Sequence, residues 1–270
     1  GANGDLFKLN NETKLTIDNV TIKDATQVAS VNNDNAVLNI KNSNIVNNLN
    51  NTANIIEIVK GTANIENSTF DTNSGGLSGG AIGNRDTLNI ANAGTADISG
   101  TIFEKNTAQG GGGAIFNDAS GNMTISNNSK FSENEASAGG TIVNAGTLNV
   151  DGTSFTKNKA TGTDQSPALG YGGAISTGGT TTVTNSEFTE NTATYYGGAI
   201  ANSGTLNIEN TVFEKNEALK TYATGTTNAF GQGGAIAHEK GTTTIKNSIF
   251  NENKAYKHGG AIYAVEGTLT

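Results

Sequence analysis

The sequence contains no cysteine, no tryptophan and a single proline among its 270 residues. The absence of cysteine excludes a disulfide scaffold, a thiolate metal site and a cysteine nucleophile. The only arginine is Arg85, and the formal net charge is −8, so the clustered basic surface that binds nucleic acid or anionic membranes is missing. No apolar run reaches the roughly 18 residues of a membrane-spanning helix, and no signal-peptide pattern stands at Gly1.

Glycine, in contrast, is abundant, with 36 residues, and hydrophobic residues make up 34% of the chain. The glycines follow no triplet period, which excludes a collagen helix. Evenly spaced Ile, Leu, Val and Phe exclude a disordered acidic segment. A repetitive β-rich protein remains.

Two short motifs alternate along the chain. The first, Gly-Gly-Ala-Ile with one Gly-Gly-Thr-Ile variant, begins at seven positions: Gly79, Gly112, Gly139, Gly172, Gly197, Gly233 and Gly259. The second, Phe-x-x-Asn, also occurs seven times, beginning at Phe70, Phe103, Phe131, Phe155, Phe188, Phe213 and Phe250. Between them lies a third segment of the type Thr-Leu-Asn-Ile, as at Thr205–Ile208.

Three short segments separated by Gly, Asn, Ser and Thr predict three strands and three corners in each unit, and no helices. A typical short period, from Phe188 to Phe213, is 25 residues, which is the length of one coil of a parallel β-helix with three strands per coil. The sequence therefore predicts an all-β β-solenoid of roughly nine coils, stacked about 4.8 Å apart in a rod on the order of 45 Å long.

The side-chain pattern predicts which residues are buried. In Thr205–Ile208 the period of two directs Leu206 and Ile208 inward and Asn207 outward. The seven phenylalanines are expected to stack along the axis. The Asn of Phe-x-x-Asn is expected at a corner, in left-handed geometry and in a side-chain ladder between coils, and the glycine pair is expected to form the opposite corner.

A functional surface is expected where the coils differ. Long insertions occupy 159–171 and 217–232, and both leave from the corner that precedes the glycine pair. This corner also collects five of the six tyrosines of the chain, with Lys220 and Lys257 beside them. The candidate binding residues are Tyr171, Tyr195, Tyr196, Tyr222, Phe230, Tyr256 and His258. We interpret them as a ridge of about 15 Å that contacts a partner; the alternative is that the tyrosines cap the core and the insertions are neutral loops.

Catalysis, metal binding and cofactor binding are not expected. Asp97, Asp118, Asp151 and Asp164 are scattered, without the paired carboxylates that cleave glycosidic bonds. His238 and His258 accompany no nucleophile pattern and are too few for a histidine metal site. The glycine runs lack both the aspartates of calcium-binding nonapeptides and a following helix for phosphate binding.

The pairing of GGAI with FxxN at these spacings resembles the repeat of the chlamydial polymorphic membrane proteins, over about residues 60–265. The resemblance implies a right-handed β-helix, the passenger domain of an autotransporter (type V secretion), held at the bacterial surface or outer membrane by a C-terminal barrel or released from it. It also implies an adhesin and virulence role, with a host-cell receptor or glycan as partner. Unlike many chlamydial members, this chain has no cysteine.

On this basis residues 1–270 are interpreted as one β-helix, with degenerate coils at 1–60 and GGAI/FxxN coils at 61–270. Because the sequence stops inside another Thr-Leu segment, we expect the natural chain to continue beyond Thr270. The alternatives to attachment are self-association between cells or neighbouring passengers, as in aggregation or a biofilm, and a carbohydrate-active β-helix enzyme, which the scattered acids disfavour.

Overall fold

The structure is a computed structural model that describes residues 4–50, 52–76, 78–84, 95–162, 170–219 and 231–270. These residues form 33 strands and no helix, and consequently no helix that could cross a bilayer. The strands of the first coils are β1 (Asp5–Leu9), β2 (Lys14–Asp18), β3 (Thr21–Lys23), β4 (Gln27–Lys41), β5 (Asn44–Val46), β6 (Ile56–Glu66) and β7 (Thr69–Asp71).

The strands of the middle coils are β8 (Ile82–Asn84), β9 (Thr95–Ser99), β10 (Ile102–Glu104), β11 (Thr107–Gly111), β12 (Ile115–Asn117), β13 (Asn122–Ser126), β14 (Lys130–Ser132), β15 (Glu135–Ala138), β16 (Ile142–Asn144), β17 (Thr147–Asp151), β18 (Ser154–Thr156) and β19 (Lys159–Ala160). The last coils contain β20 (Ile175–Thr177), β21 (Thr180–Thr184), β22 (Glu187–Thr189), β23 (Thr192–Ala193), β24 (Ile200–Asn202), β25 (Thr205–Glu209), β26 (Val212–Glu214), β27 (Glu217–Ala218), β28 (Ile236–His238), β29 (Thr242–Lys246), β30 (Ile249–Asn251), β31 (Lys254–Ala255), β32 (Ile262–Ala264) and β33 (Thr268–Leu269).

Each strand pairs in parallel with the equivalent strand of the next coil. For one coil the pairs are β24 with β28, β25 with β29, β26 with β30 and β27 with β31. The described strands assemble into three sheets of 18, 9 and 6 strands, which we call the long sheet, the phenylalanine sheet and the short sheet. This arrangement confirms the predicted all-β parallel β-helix, and the nine strands of the phenylalanine sheet agree with nine coils.

The grouping of strands within a coil differs in detail from the sequence pattern. The GGAI strand and the Thr-Leu-Asn-Ile strand both belong to the long sheet, and in the first coils they merge into the continuous strands β4 and β6. The third sheet is built from short strands that follow Phe-x-x-Asn. These strands contain two residues in the last coils, too few for a periodic pattern to reveal them.

The interior is lined as the period of two predicts. In β25 the side chains of Leu206 and Ile208 are buried while Asn207 is exposed. The phenylalanines stack in one continuous column from Phe70 to Phe250, with neighbouring ring centroids 4.6–5.0 Å apart and ring planes within 4–10° of parallel. Burial of each ring stabilises the fold by roughly 1.5–3 kcal/mol. Ile22 and Ile45 occupy the same column in the first coils.

The asparagine corner, which we define by the ladder residues that end Phe-x-x-Asn, bonds the coils to one another. Asn158 donates from Nδ2 to the Phe131 carbonyl oxygen (3.0 Å) and to Asn191 Oδ1 (2.9 Å). Its own Oδ1 accepts from the backbone N–H (3.0 Å) and the Nδ2 (2.9 Å) of Asn134. The ladder is therefore as predicted, and it is completely buried at this position.

The left-handed residue of this corner, however, lies one position earlier than predicted. Immediately before the ladder position, φ lies between 51° and 55° at Asn47, Thr72, Lys105, Glu133, Lys157, Glu190, Lys215 and Glu252. The ladder asparagine itself does not adopt positive φ, because its amide must point into the coil to reach the neighbouring asparagines. The corner therefore imposes left-handed geometry on residue types that rarely adopt it.

A second ladder, of hydroxyl groups, was not predicted. It lies at the corner before the phenylalanine strand, where the Thr101 backbone N–H donates to Ser129 Oγ and the Thr153 N–H donates to Ser186 Oγ, both at 3.2 Å. The hydroxyl groups in turn donate to a carbonyl oxygen two or three residues earlier, as from Thr153 to Asp151 at 3.1 Å and from Ser129 to Ser126 at 2.7 Å. Thus two of the corners are internally bonded and largely buried.

Candidate functional site

The remaining corner, immediately before the glycine pair, carries residues of three different types in the last coils. Tyr171, Tyr196, Gln232 and His258 occupy equivalent positions and form parallel bridges from coil to coil. The backbone is held by bonds such as that from the Gly172 N–H to the Tyr196 carbonyl oxygen (2.8 Å). We call this column, with the side chains around it, the tyrosine corner.

The glycine pair fixes where this corner lies. Gly197 has φ 62°, in the left-handed region that other residues avoid. A Cβ on Gly198 would overlap the carbonyl oxygen of Gly234 in the next coil, because the two backbones touch there. The residue before the pair consequently starts from nearly the same backbone position in every coil, whatever its side chain.

The tyrosine corner does not include Tyr195 as a surface residue, which corrects the sequence interpretation. Tyr195 is 0% exposed and forms a small apolar cluster with the partly buried Tyr171 and Tyr196. Neighbouring residues of an extended chain point to opposite sides, so Tyr195 turns inward where Tyr196 turns outward. Tyr195 supports the corner from beneath and cannot contact a partner directly.

The other candidates fall into two groups. Tyr256 is 67% exposed and His258 is also exposed, with its ring stacked on Tyr263 at a centroid distance of 6.0 Å. Tyr222 and Phe230, together with Lys220, lie outside the described residues. Of the seven candidate binding residues, the structure therefore brings Tyr171, Tyr196 and His258 into one column, with Tyr256 close by in sequence.

A shallow depression of about 240 Å³ opens beside this column. It is lined by Tyr171, Tyr196, Glu239 and Val265. The two tyrosine rings meet edge to face, with centroids 5.0 Å apart and planes at 77°. Glu239 and Val265 occupy equivalent positions in adjacent coils, at the end of β28 and of β32, since the Glu239 N–H donates to the Asn202 carbonyl oxygen and the Val265 N–H to that of His238.

The depression has a distinct electrostatic character. Burial raises the pKa of the Glu239 carboxyl group, an effect that nearby Lys240 partly opposes. Burial also raises the pKa of the Tyr171 and Tyr196 hydroxyl groups, and the charge of Glu239 raises both further. Both phenols therefore stay protonated at neutral pH, and burial disfavours the charged form of all three groups.

Sequence reasoning missed Glu239. It is one acidic residue among 24 Asp and Glu, and it stands 68 residues after Tyr171, so no local pattern connects the two. A weak signal was present, because the corresponding residues of the three preceding coils are the small Ala145, Gly178 and Ser203, although an acidic residue, Asp118, also occupies this position one coil earlier. In the described part of the chain no cluster of three His, Asp or Glu residues could hold a metal ion.

Comparison with known proteins identifies the repeat. The family model described as the Chlamydia polymorphic membrane protein repeat matches residues 100–118, 152–178, 185–203 and 247–265. Each matched segment contains one Phe-x-x-Asn and one Gly-Gly-Ala-Ile motif, which confirms the resemblance seen in the sequence. No curated protein and no solved structure matches the chain.

Proposed function

We propose that this chain, which carries Chlamydia polymorphic membrane protein repeats and is therefore a surface protein of autotransporter-like type, is an adhesin. In this proposal it is the passenger region of a type V secretion system, exposed on the outer membrane or released from it. It attaches the bacterium to a receptor or glycan of a host cell, and so contributes to virulence.

One observation carries the proposal: the tyrosine corner presents tyrosine, glutamine and histidine side chains in one column while its backbone is fixed. The phenylalanine column and the asparagine corner repeat the same residues and are buried. In contrast, Tyr171, Tyr196, Gln232 and His258 follow one another in one column. Tyrosine is enriched in protein interfaces because it offers apolar area with a polar tip and little conformational entropy to lose.

The proposed attachment involves no catalysis. The titratable groups that line the depression beside the tyrosine corner are two phenols that stay protonated and one partly buried carboxyl group. Hydrolysis of a glycosidic bond requires a second carboxyl group about 5–9.5 Å away. Recognition requires only that the pre-formed corner contacts a partner without changing it chemically. The tyrosine, histidine and carboxylate side chains of the corner are sufficient for such contacts.

The proposal can be tested with beads coated with the purified chain. We expect a variant with Tyr171, Tyr196 and Tyr256 replaced by Ser to lose most of its attachment to host cells. The matched control replaces the outward residues Asn149, Thr182 and Asn207 of the long sheet by Ser and should attach normally. Circular dichroism must show that both variants keep their β-structure.

The same beads distinguish attachment from self-association. Clumping of coated beads in the absence of cells, lost with the three tyrosines, would favour binding between neighbouring passengers over binding to a host cell. Full attachment of a folded tyrosine variant to cells would overturn the adhesin role of this corner.

A further inference from the structure

The depression beside the tyrosine corner has the composition of a site for an organic cation. Two tyrosine rings, one carboxylate and one valine line it, and the rings meet edge to face so that both contribute to its wall. A cation over an aromatic ring is attracted by the ring quadrupole, and more strongly where water is partly excluded. A carboxylate beside the rings adds a direct charge interaction.

Among the described residues, Glu239 forms no ion pair. Its neighbour Lys240 is exposed, whereas Glu239 itself is partly buried beside Tyr171 and Tyr196. Burying a charge without a partner costs free energy, and a ligand of opposite charge offsets part of this cost.

We propose that the depression lined by Tyr171, Tyr196, Glu239 and Val265 binds an alkylammonium group, presented as a lysine side chain by a protein on the surface to which this chain attaches. The methylene groups of the lysine pack against Val265 and the rings, and its ammonium group contacts the carboxylate. The inference rests on the proposed function, which supplies the origin of the lysine.

A neutral sugar fits these observations less well. A sugar hydroxyl group can donate a hydrogen bond to Glu239, but it leaves the partly buried negative charge without a counter-charge. Flat stacking of a sugar ring also favours an open aromatic face, whereas here the two rings stand at 77° to each other. The overall charge of −8 further attracts basic partners and increases their rate of association.

Direct titration followed by NMR of the labelled tyrosine rings tests the inference. The probes are Nα-acetyl-lysine methylamide, its neutral Nε-acetyl derivative and methyl glucoside. We expect saturable binding of the charged lysine derivative with Kd on the order of 1 mM, the affinity of a weak single-group contact. The neutral derivative and the glucoside should bind at least about tenfold more weakly, a difference of ~1.4 kcal/mol.

Three variants sharpen the result. Glu239→Gln removes the charge and keeps the shape, and Tyr196→Leu removes the ring and keeps an apolar side chain; each should weaken lysine binding at least about tenfold. Glu209→Gln, which neutralises an exposed carboxylate at the end of β25, should leave the Kd unchanged. Equal binding of charged and neutral lysine derivatives, or full binding by Glu239→Gln, would overturn the inference.

The two proposals can fail separately. If the lysine derivative does not bind while the tyrosine variant loses attachment to cells, the adhesin proposal stands and the cation site falls. If the lysine derivative binds but the tyrosine variant attaches normally, the depression is a cation site and attachment occurs elsewhere on the protein.

Discussion

The asparagine corner and the tyrosine corner border the same short strand of each coil, and they use opposite strategies. At the asparagine corner each coil carries the same amide with the same bonds, as Asn134, Asn158 and Asn191 illustrate. At the tyrosine corner the backbone bonds also repeat, but the side chain changes from Tyr196 to Gln232 to His258.

The comparison teaches where a repeat protein can acquire a specific surface. A ladder residue contacts two neighbouring coils, so its substitution breaks hydrogen bonds to both of them. The residue before the glycine pair, in contrast, is held in place by backbone contacts, and its side chain projects from the rod. Repetition therefore marks residues that stabilise the rod, and departure from repetition marks residues free to serve a partner. Four changes can break or sharpen this distinction.

The largest effect is expected at the glycine pair, on which both corners depend. In Gly198→Ala the new Cβ overlaps the Gly234 carbonyl oxygen, and backbone atoms cannot move without separating two coils. We expect a loss of roughly 4 kcal/mol in the free energy of unfolding, measured by urea denaturation. Gly178→Ala is the matched control, because its Cβ would meet only Ser203 Oγ at 3.5 Å. Equal stability of the two variants would contradict the close approach.

The second effect concerns the asparagine corner. Asn158→Ala removes the acceptor of the Asn134 backbone N–H and the donor to the Phe131 carbonyl oxygen, both buried. Leaving such groups unpaired should cost about 3 kcal/mol in the free energy of unfolding. Asn149→Ala, on the exposed face of the long sheet, should cost less than about 0.5 kcal/mol. A small loss from Asn158→Ala would mean that water replaces the ladder and that this corner is not rigid.

Much of this architecture could be predicted from sequence, because each buried column repeats one residue at one period. Leu206, Phe213 and Asn216 could each be assigned to the interior or to a ladder, since every coil supplies another example of the same contact. The left-handed residue could not be placed correctly, because residues such as Lys105 and Glu190 have no preference for that geometry. There the ladder amides decide the conformation.

The sequence was sufficient to locate the candidate site but not to identify all of its residues. The clustering of tyrosines indicated the correct corner, whereas the different orientations of Tyr195 and Tyr196 depend on a corner conformation that adjacent identical letters do not reveal. Glu239 lies beside Tyr171 because it belongs to the second coil stacked after the coil of Tyr171. Contacts of this kind are specified by how many residues each intervening coil contains, and the insertions at 159–171 and 217–232 obscure that count.

The third effect tests whether a single departure from repetition inside the rod is costly. His238 replaces asparagine in the column of Asn117 and Asn202. Its Nδ1 lies 2.9 Å from Thr243 Oγ1, but its buried Nε2 has no hydrogen-bond partner within the described part of the chain. We expect His238→Asn to raise the melting temperature, with a gain of about 1 kcal/mol. His238→Ala supplies no amide and should not stabilise; a loss of equal size in both variants would refute the explanation.

The smallest effect tests whether the depression at the tyrosine corner costs stability. Burial raises the pKa of Glu239 in the folded protein above its value in the unfolded chain, so the folded state binds the proton more tightly. The contribution of Glu239 to stability is therefore fully present below the unfolded pKa and is lost as the pH rises through the folded pKa. Gln does not titrate, so Glu239→Gln should gain stability relative to the wild type over that interval and keep the gain at neutral pH. The measurement is the difference in free energy of unfolding between the two proteins at acidic and at neutral pH. A difference that is constant with pH, or that shrinks as the pH rises, would contradict the prediction. It would show that burial does not destabilise the carboxylate and that the tyrosine corner is maintained without cost to the fold.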